Sequence, residues 1–215
     1  MQIFLDTGSV KEVQEAYDLG VLDGVTTNPT LIAKEGKDFF ETIRTISKII
    51  KDGVVNAEVI STDTAGMLKE ADNIAKLGKN VIVKIPLIPA GIKAVSILSR
   101  KKIRTNVTLC FSPNQALLAA KAGAWCVSPF IGRLDDVGQE GMDVIREIKQ
   151  IYSSYGYKTK ILVASVRHPR HVTEAAKIGA DICTMPYDIF KKLFQHPLTD
   201  IGLKKFLEDW AARKK

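Results

Sequence analysis

Lys84 ends the run Asn80-Val-Ile-Val-Lys84-Ile-Pro86, in which β-branched residues lead to one cation and proline follows. Such a run reads as a short buried strand. A lysine at its end lies beside a low-dielectric interior, which disfavours the ammonium form, and a neutral amine attacks carbonyls to give a Schiff base. By itself Lys84 could equally snorkel to solvent. The residues at the ends of the neighbouring strand candidates weigh against that. Asp6, Thr26-Thr27-Asn28, Glu58 and Ser61 close the first three candidates. Asn106 and Thr108, two apart, share one side of the fifth. Ser128, Phe130 and Arg133 mark the sixth, Ser165 and Arg167 the seventh, and Thr184 closes the eighth more blandly. Any one of these could be a cap or a turn former. Polar or ionisable groups at the same end of seven strands out of eight form a site instead. An amine can attack a ketone there, and one carboxylate can shuttle protons for carbinolamine formation and dehydration. A second carboxylate can take a hydroxyl proton as a carbon–carbon bond breaks, while amides hold sugar hydroxyls. Arginines with a serine hydroxyl can hold a phosphate through charge-assisted bonds. Together they describe a Schiff-base aldolase or an aldol-transfer enzyme.

The elements that must position these groups alternate. Strand candidates are Gln2–Asp6, Gly24–Thr27, Val54–Val59, Asn80–Ile85, Ile103–Leu109, Ala124–Phe130, Lys160–Ser165 and Asp181–Met185. Helical spacing fills Ser9–Gly20, Asp38–Lys51, Thr62–Leu77, Pro89–Arg100, Pro113–Ala122, Gly138–Tyr155, His168–Ile178 and Pro186–Phe194, with a last helix over roughly Thr199–Ala212. Eight strand–helix units predict a single-domain α/β fold over residues 1–215, a (β/α)8 TIM barrel with an extra C-terminal helix. A doubly wound open sheet is the alternative, but no Gly-rich dinucleotide or P-loop pattern occurs. Ser9 with Glu12 predicts a capping box, Thr62 or Asp63 a cap, and Ser112-Pro113 a helix start. Gly20, Gly78, Gly123 and Gly179 read as helix stops.

Bulk properties narrow the classes. The 215 residues are 46% hydrophobic and 26% charged, ordinary for a globular protein. No apolar run nears the ~20 residues of a membrane span. Met1-Gln-Ile-Phe-Leu-Asp6 lacks a basic leader segment, so a cytoplasmic location is expected. Cys110, Cys126 and Cys183 are sparse and unpaired in spacing, against a disulfide framework or zinc site. His168 and His171 form a lone H-x-x-H, a weak metal signal, and surface or capping roles are expected for them and for His196. The net charge of +7 has its densest clusters at Arg100–Lys102 and Arg213–Lys215, without the interleaved aromatics of a nucleic-acid surface. A basic anion- or nucleic-acid-binding module is therefore a distant third reading.

Six segments in order carry a family resemblance across nearly the whole chain. They are Gly24-Val-Thr-Thr-Asn28-Pro-Thr30, Glu58-Val, Val83-Lys84-Ile-Pro86, Thr105-Asn106-Val-Thr108, Ser128-Pro-Phe130-Ile-Gly-Arg133 and Ala164-Ser165-Val-Arg167. The chain resembles the small transaldolases, in the group that also contains the fructose-6-phosphate aldolases. The resemblance implies an eight-stranded barrel with Lys84 as the Schiff-base lysine. Glu58 is then the acid/base for imine formation and hydrolysis, positioning a water with Thr108, and Asp6 handles the proton at the cleaved bond. It implies that Asn28, Asn106 and Ser128 hold a dihydroxyacetone unit, and that Arg133, Ser165 and Arg167 bind the phosphate. Thr27 and Phe130 complete the substrate-binding set. No metal or organic cofactor is implied. The partners expected are phosphorylated sugars, with no nucleic acid and no membrane. The implied reaction moves dihydroxyacetone from fructose 6-phosphate to erythrose 4-phosphate, giving sedoheptulose 7-phosphate and glyceraldehyde 3-phosphate, in the pentose phosphate pathway. A lyase releasing free dihydroxyacetone is the alternative; fructose-6-phosphate aldolases tend to have Gln and Tyr where this chain has Glu58 and Phe130. Phe206, Leu207 and Trp210 share a face of the last helix. That face could dock on its own barrel, but the resemblance implies pentamers or decamers in which it packs on a neighbour.

Overall fold

A computed structural model of the chain describes residues 1–213; Lys214 and Lys215 of the basic tail lie outside the described residues. Eight parallel strands close into a barrel in sequence order. They are β1 Gln2–Asp6, β2 Gly24–Thr26, β3 Val54–Glu58, β4 Val81–Pro86, β5 Thr105–Cys110, β6 Cys126–Pro129, β7 Lys160–Val163 and β8 Ile182–Met185. The helices are α1 Val10–Asp18, α2 Pro29–Lys34, α3 Phe39–Ile49, α4 Thr64–Ile74, α5 Pro89–Arg100, α6 Pro113–Lys121, α7 Ile131–Asp135, α8 Gly141–Tyr155, α9 Pro169–Ile178, α10 Tyr187–Lys192 and α11 Pro197–Ala212. The TIM barrel expected from the alternation is the observed fold, extra C-terminal helix included.

Alternation along the strands makes two cores. Outward residues such as Val25, Val55, Val83, Val107 and Val163 pack under the helices. Inward residues Phe4, Val54, Ile82, Cys126, Leu162 and Ile182 fill the lower barrel. In the layer above them Asp6, Thr26, Asn56, Lys84, Asn106, Ser128 and Thr184 are polar and Ala164 is apolar, which marks the site end. Gly24 is needed beside Phe4, because a Cβ there would meet the ring at 2.6 Å and the Val54 carbonyl at 2.5 Å.

Some local signals act differently from their sequence reading. Ser9 is the N-cap position of α1 but its side chain makes no cap bond. Glu12 instead accepts from the Thr7 hydroxyl at 2.5 Å, and the Ser9 N–H donates to that same oxygen. Thr7 is buried, so the pair anchors the loop after β1, next to Asp6. Asp63, not Thr62, caps α4 through the Gly66 N–H, and Ser112 caps α6. Gly20, Gly123 and Gly179 adopt positive φ as helix stops should; Gly78 does not. Its missing Cβ makes room for Ser47 Oγ, which would lie 2.1 Å away. The helices α2 and α7, absent from the periodicity, both follow strand ends and carry site residues at their start.

Cys110, Cys126 and Cys183 are free and buried, and burial pushes the Cys110 and Cys183 thiols up to about 12. They are inert core hydrophobes. His171 contradicts its expected surface role: it is buried, for the reason developed below. His196 does cap, accepting from the Leu198 N–H at the start of α11. No described helix is long and apolar enough to cross a membrane.

Candidate active site

β3 and β4 stand in a register that pairs Glu58 with Lys84, both facing inward. Lys84 is only 5% exposed, and its Nζ lies 3.0 Å from Glu58 Oε2 and 3.5 Å from the Thr27 carbonyl oxygen. It does not snorkel to solvent. A buried ammonium needs a partner, and Glu58, whose side chain is 16% exposed, supplies it from the adjacent strand. Glu58 is followed by a loop that Glu70 of α4 grips: its carboxylate accepts from the Ile60 N–H at 2.6 Å, the Ser61 N–H at 3.1 Å and the Ser61 hydroxyl.

Asp6, at the end of β1, faces the same space. Its Oδ1 accepts from the Thr26 hydroxyl at 2.7 Å, and Thr26 in turn sits 2.7 Å from Thr184 Oγ1. Burial pushes the Asp6 carboxyl above the ordinary aspartate range, with the Lys84 charge and the Thr26 bond pulling the other way.

A polar ladder runs beside Lys84, whose register partner on β5 is Asn106. The Ser128 hydroxyl donates to Asn106 Oδ1 at 2.7 Å, Asn106 Nδ2 donates to Asn56 Oδ1 at 2.9 Å, and Asn56 Nδ2 donates to the Val25 carbonyl at 3.1 Å. All three side chains are buried and hydrogen-bonded, which sets the orientation of the two amides. Thr108 Oγ1 is also buried but has no partner from the protein among the described residues. A hydroxyl so placed, two residues above Asn106 on the inward side, is what solvent or substrate would satisfy.

A cavity of about 200 Å³ opens at this end of the barrel. Asp6, Thr26, Asn28, Lys84, Ser128 and Thr184 line its floor, with Phe130, Arg133, Ser165 and Arg167 toward the sixth and seventh strands. Asn28 starts α2, where its Oδ1 accepts from the Leu31 N–H at 2.9 Å. Phe130 lies between Phe111, edge-on with centroids 5.8 Å apart, and the Arg133 guanidinium, 5.2 Å from its ring centroid. The ring thus orients Arg133 over the cavity. Ser165 adopts φ +62°, a left-handed conformation uncommon for serine and typical of residues held at functional sites.

Lys84, Asp6, Asn28, Ser128, Phe130, Arg133, Ser165 and Arg167 therefore share one cavity. Glu58, Asn106 and Thr108 stand behind it: Glu58 bonds to Lys84, Asn106 to Ser128, and Thr108 projects inward from β5. Thr27 is placed otherwise. Its side chain is fully buried and its hydroxyl donates to the Asn56 carbonyl at 2.7 Å, so the threonine facing the cavity is Thr26. Asn56 escaped the sequence reading, although its spacing of two from Glu58 puts it on the same inward face. Thr184 was read as bland, yet it joins Thr26 at the cavity floor.

Comparison with known proteins identifies the family. Residues 3–215 match the Transaldolase/Fructose-6-phosphate aldolase family. A probable transaldolase of Methanococcus vannielii is 60% identical over 215 residues, covering 100% of both chains. One of Petrotoga mobilis is 60% identical over 98% of this chain and 95% of its own, and one of Aquifex aeolicus is 59% identical over 98% and 96%. Among solved structures, a thiamine phosphate pyrophosphorylase from Pyrococcus furiosus superposes with a TM-score of 0.60 over 86% of this chain and 85% of its own, at 16% identity. That likeness reflects the barrel alone. With a whole-length family match and relatives near 60% identity, the chain belongs to the transaldolase/fructose-6-phosphate aldolase family.

Proposed function

We propose that the chain is a class I, Schiff-base-forming transaldolase that carries a dihydroxyacetone unit from fructose 6-phosphate to erythrose 4-phosphate. The observation that carries this reading is the buried Lys84 Nζ, 3.0 Å from Glu58 Oε2, at the floor of a cavity with Asp6 on one side and two arginines on the other. Glu58 receives a proton from Lys84, and the amine attacks C2 of the ketose. Glu58 returns the proton as water leaves the carbinolamine, with Thr108 holding that water. Asp6 takes the proton of the C4 hydroxyl as the C3–C4 bond breaks, and the bonding electrons pass into the iminium to leave an enamine on Lys84. Glyceraldehyde 3-phosphate departs. The enamine carbon attacks the aldehyde of erythrose 4-phosphate, Asp6 gives its proton to the new alkoxide, and water releases sedoheptulose 7-phosphate. Asn28, Asn106 and Ser128 hold the three-carbon unit. Arg133, Arg167 and Ser165 bind the phosphate, which matches their position at the rim of the cavity. No step needs a metal or organic cofactor.

The family includes lyases that release dihydroxyacetone without an acceptor. Phe130, Glu58 and the names of the 60%-identical relatives favour the transferase. Phe130 offers no hydroxyl to position a water against the enamine, so the three-carbon unit waits for an aldehyde. Fructose 6-phosphate alone should give little free dihydroxyacetone, and erythrose 4-phosphate should release sedoheptulose 7-phosphate at full rate. Phe130→Tyr should raise acceptor-free release roughly 10-fold, the scale of one added hydrogen bond to a water. Equal dihydroxyacetone release with and without acceptor in the unaltered protein would favour the lyase, and unchanged release in the variant would remove Phe130 from the argument.

We further infer a homo-oligomer, a pentamer or decamer, in the cytoplasm. Free buried cysteines suit a reducing compartment. Within α11, Leu203, Phe206, Leu207 and Trp210 follow an i, i+3, i+4, i+7 stripe, and all point to solvent, Phe206 at 72% and Trp210 at 61% exposure. The helix does not dock on its own barrel: it has no buried residue. An apolar stripe of this size on a free surface marks an interface. Truncation after Gly202 should lower the mass measured by light scattering to that of a smaller assembly; an unchanged mass would place the interface elsewhere.

A further inference from the structure

Arg167 is tied to the C-terminal end of α7 twice, directly through its guanidinium and, through His171, by its backbone. Its Nη2 donates to Asp136 Oδ2 at 2.8 Å. Its backbone N–H donates to His171 Nδ1 at 3.3 Å, and the other ring nitrogen, Nε2, lies 3.3 Å from Asp135 Oδ2. Asp135 Oδ1 is fixed in turn by the Gly141 N–H at 2.9 Å. The neighbouring carboxylate defines the ring's tautomer: Nε2 carries the hydrogen toward Asp135, leaving Nδ1 as an acceptor. Burial of His171 and the His168 ring packed 3.7 Å from it oppose its protonation, which preserves that acceptor.

The backbone is tied as well. Ile131 N–H donates to the Ala164 carbonyl and Gly132 N–H to the Ser165 carbonyl, each at 3.1 Å. Gly132 has to be glycine for this approach. A Cβ there would stand 2.1 Å from the Ser165 carbonyl oxygen and 2.7 Å from Arg167 Nε. The segment from α7 and the loop after β7 thus form one unit, with Ser165 in its left-handed conformation and Arg167 laid flat across Gly132 into the cavity.

We propose that Asp136, together with the Asp135–His171 pair, positions Arg167 to receive the phosphate of the donor sugar. The proposal rests on the phosphorylated-sugar reading above. Asp136 engages one guanidinium nitrogen and leaves the remaining donors of the fork to an anion. Both partners are more than half exposed, so the ion pair itself adds little to folding. Its consequence lies in aiming a long, otherwise mobile side chain. This gives the proposal a sign that simple electrostatics does not share. Removing a negative charge beside an anion site should strengthen phosphate binding if charge alone matters, and weaken it if Asp136 sets the geometry.

The test is borohydride trapping of the Lys84 adduct, titrated with fructose 6-phosphate and, separately, with dihydroxyacetone, which has no phosphate. In Asp136→Asn the half-saturating concentration of fructose 6-phosphate should rise roughly 10-fold, within the range seen when a clamp is misplaced by about an ångström. That for dihydroxyacetone should stay within about twofold, since it makes no phosphate contact. Asp136→Glu should recover much of the loss, and His171→Leu should reproduce it from the backbone side. Should His171→Leu fail to fold, the Asp136 variants decide by themselves. Unchanged or tighter fructose 6-phosphate trapping in Asp136→Asn, or equal weakening with both sugars, would overturn the proposal. No trapping of either sugar by the unaltered protein would overturn the catalytic reading and this proposal with it.

Discussion

Lys84→Met should reduce turnover by at least about 10⁴-fold, the scale on which removing a covalent nucleophile is felt. Methionine matches the length of the lysine stem and suits a position that is 5% exposed above Ile82. The barrel should therefore persist, checked by an unchanged far-UV circular dichroism spectrum. Glu58 loses its 3.0 Å partner, but its side chain is 16% exposed and can be hydrated. A variant that folds and keeps activity within about 100-fold would mean that proton transfer, not an imine, carries most of the rate, since acid–base groups alone supply effects of that size.

Asp6→Asn should lower turnover by about 10²–10⁴-fold, as expected for a lost general base. The defect should lie at one step. Asparagine still accepts the Thr26 bond through its amide oxygen and is close to aspartate in shape. Imine formation depends on Lys84 and Glu58, so borohydride should still trap an adduct. That adduct should carry the whole six-carbon sugar phosphate, because no base remains to take the C4 proton. The pH profile of the unaltered protein bears on the same residue. Asp6 acts as a carboxylate, and burial lifts its pKa above the usual 3.8. Activity should then fall as the pH drops through a range higher than that of an exposed aspartate. A three-carbon adduct in Asp6→Asn would assign the proton transfer to another group.

The barrel was legible because its signals are local and repeated. Short β-branched runs alternate with helical spacing, and each strand in the structure lies within its expected span or within a residue of it. The same periodicity missed α2 and α7. Both are under seven residues, too short to show a 3.6-residue repeat. Asn28-Pro29 carries the same cap-plus-proline signal as Ser112-Pro113, but asparagine before proline is also a good turn former, and only six helical residues follow. In α7 a glycine lies second and no side chain caps the start.

The site divides along similar lines. Lys84, Glu58 and Asp6 were visible as ionisable residues ending apolar strands, which burial makes conspicuous. Thr26 and Thr27 are identical in type and adjacent, and only strand phase decides which faces the cavity. Asn56 lies mid-strand, where an amide does not suggest a ladder until Asn106 and Ser128 are placed beside it. The hold of Asp135, Asp136 and His171 on Arg167 joins residues about 30 apart in sequence through an unrecognised helix. Spacing does not encode such a contact. For the same reason His171 read as a surface residue, although its ring is spent between Asp135 and the Arg167 backbone.

The central claim is that Lys84 forms a Schiff base and the carbon–carbon bond breaks on it. Borohydride reduction of the unaltered protein with fructose 6-phosphate, followed by peptide mass mapping, tests both at once. A three-carbon adduct on the peptide that contains Lys84 is the predicted result. An adduct on any other lysine, or none from folded protein, would contradict it.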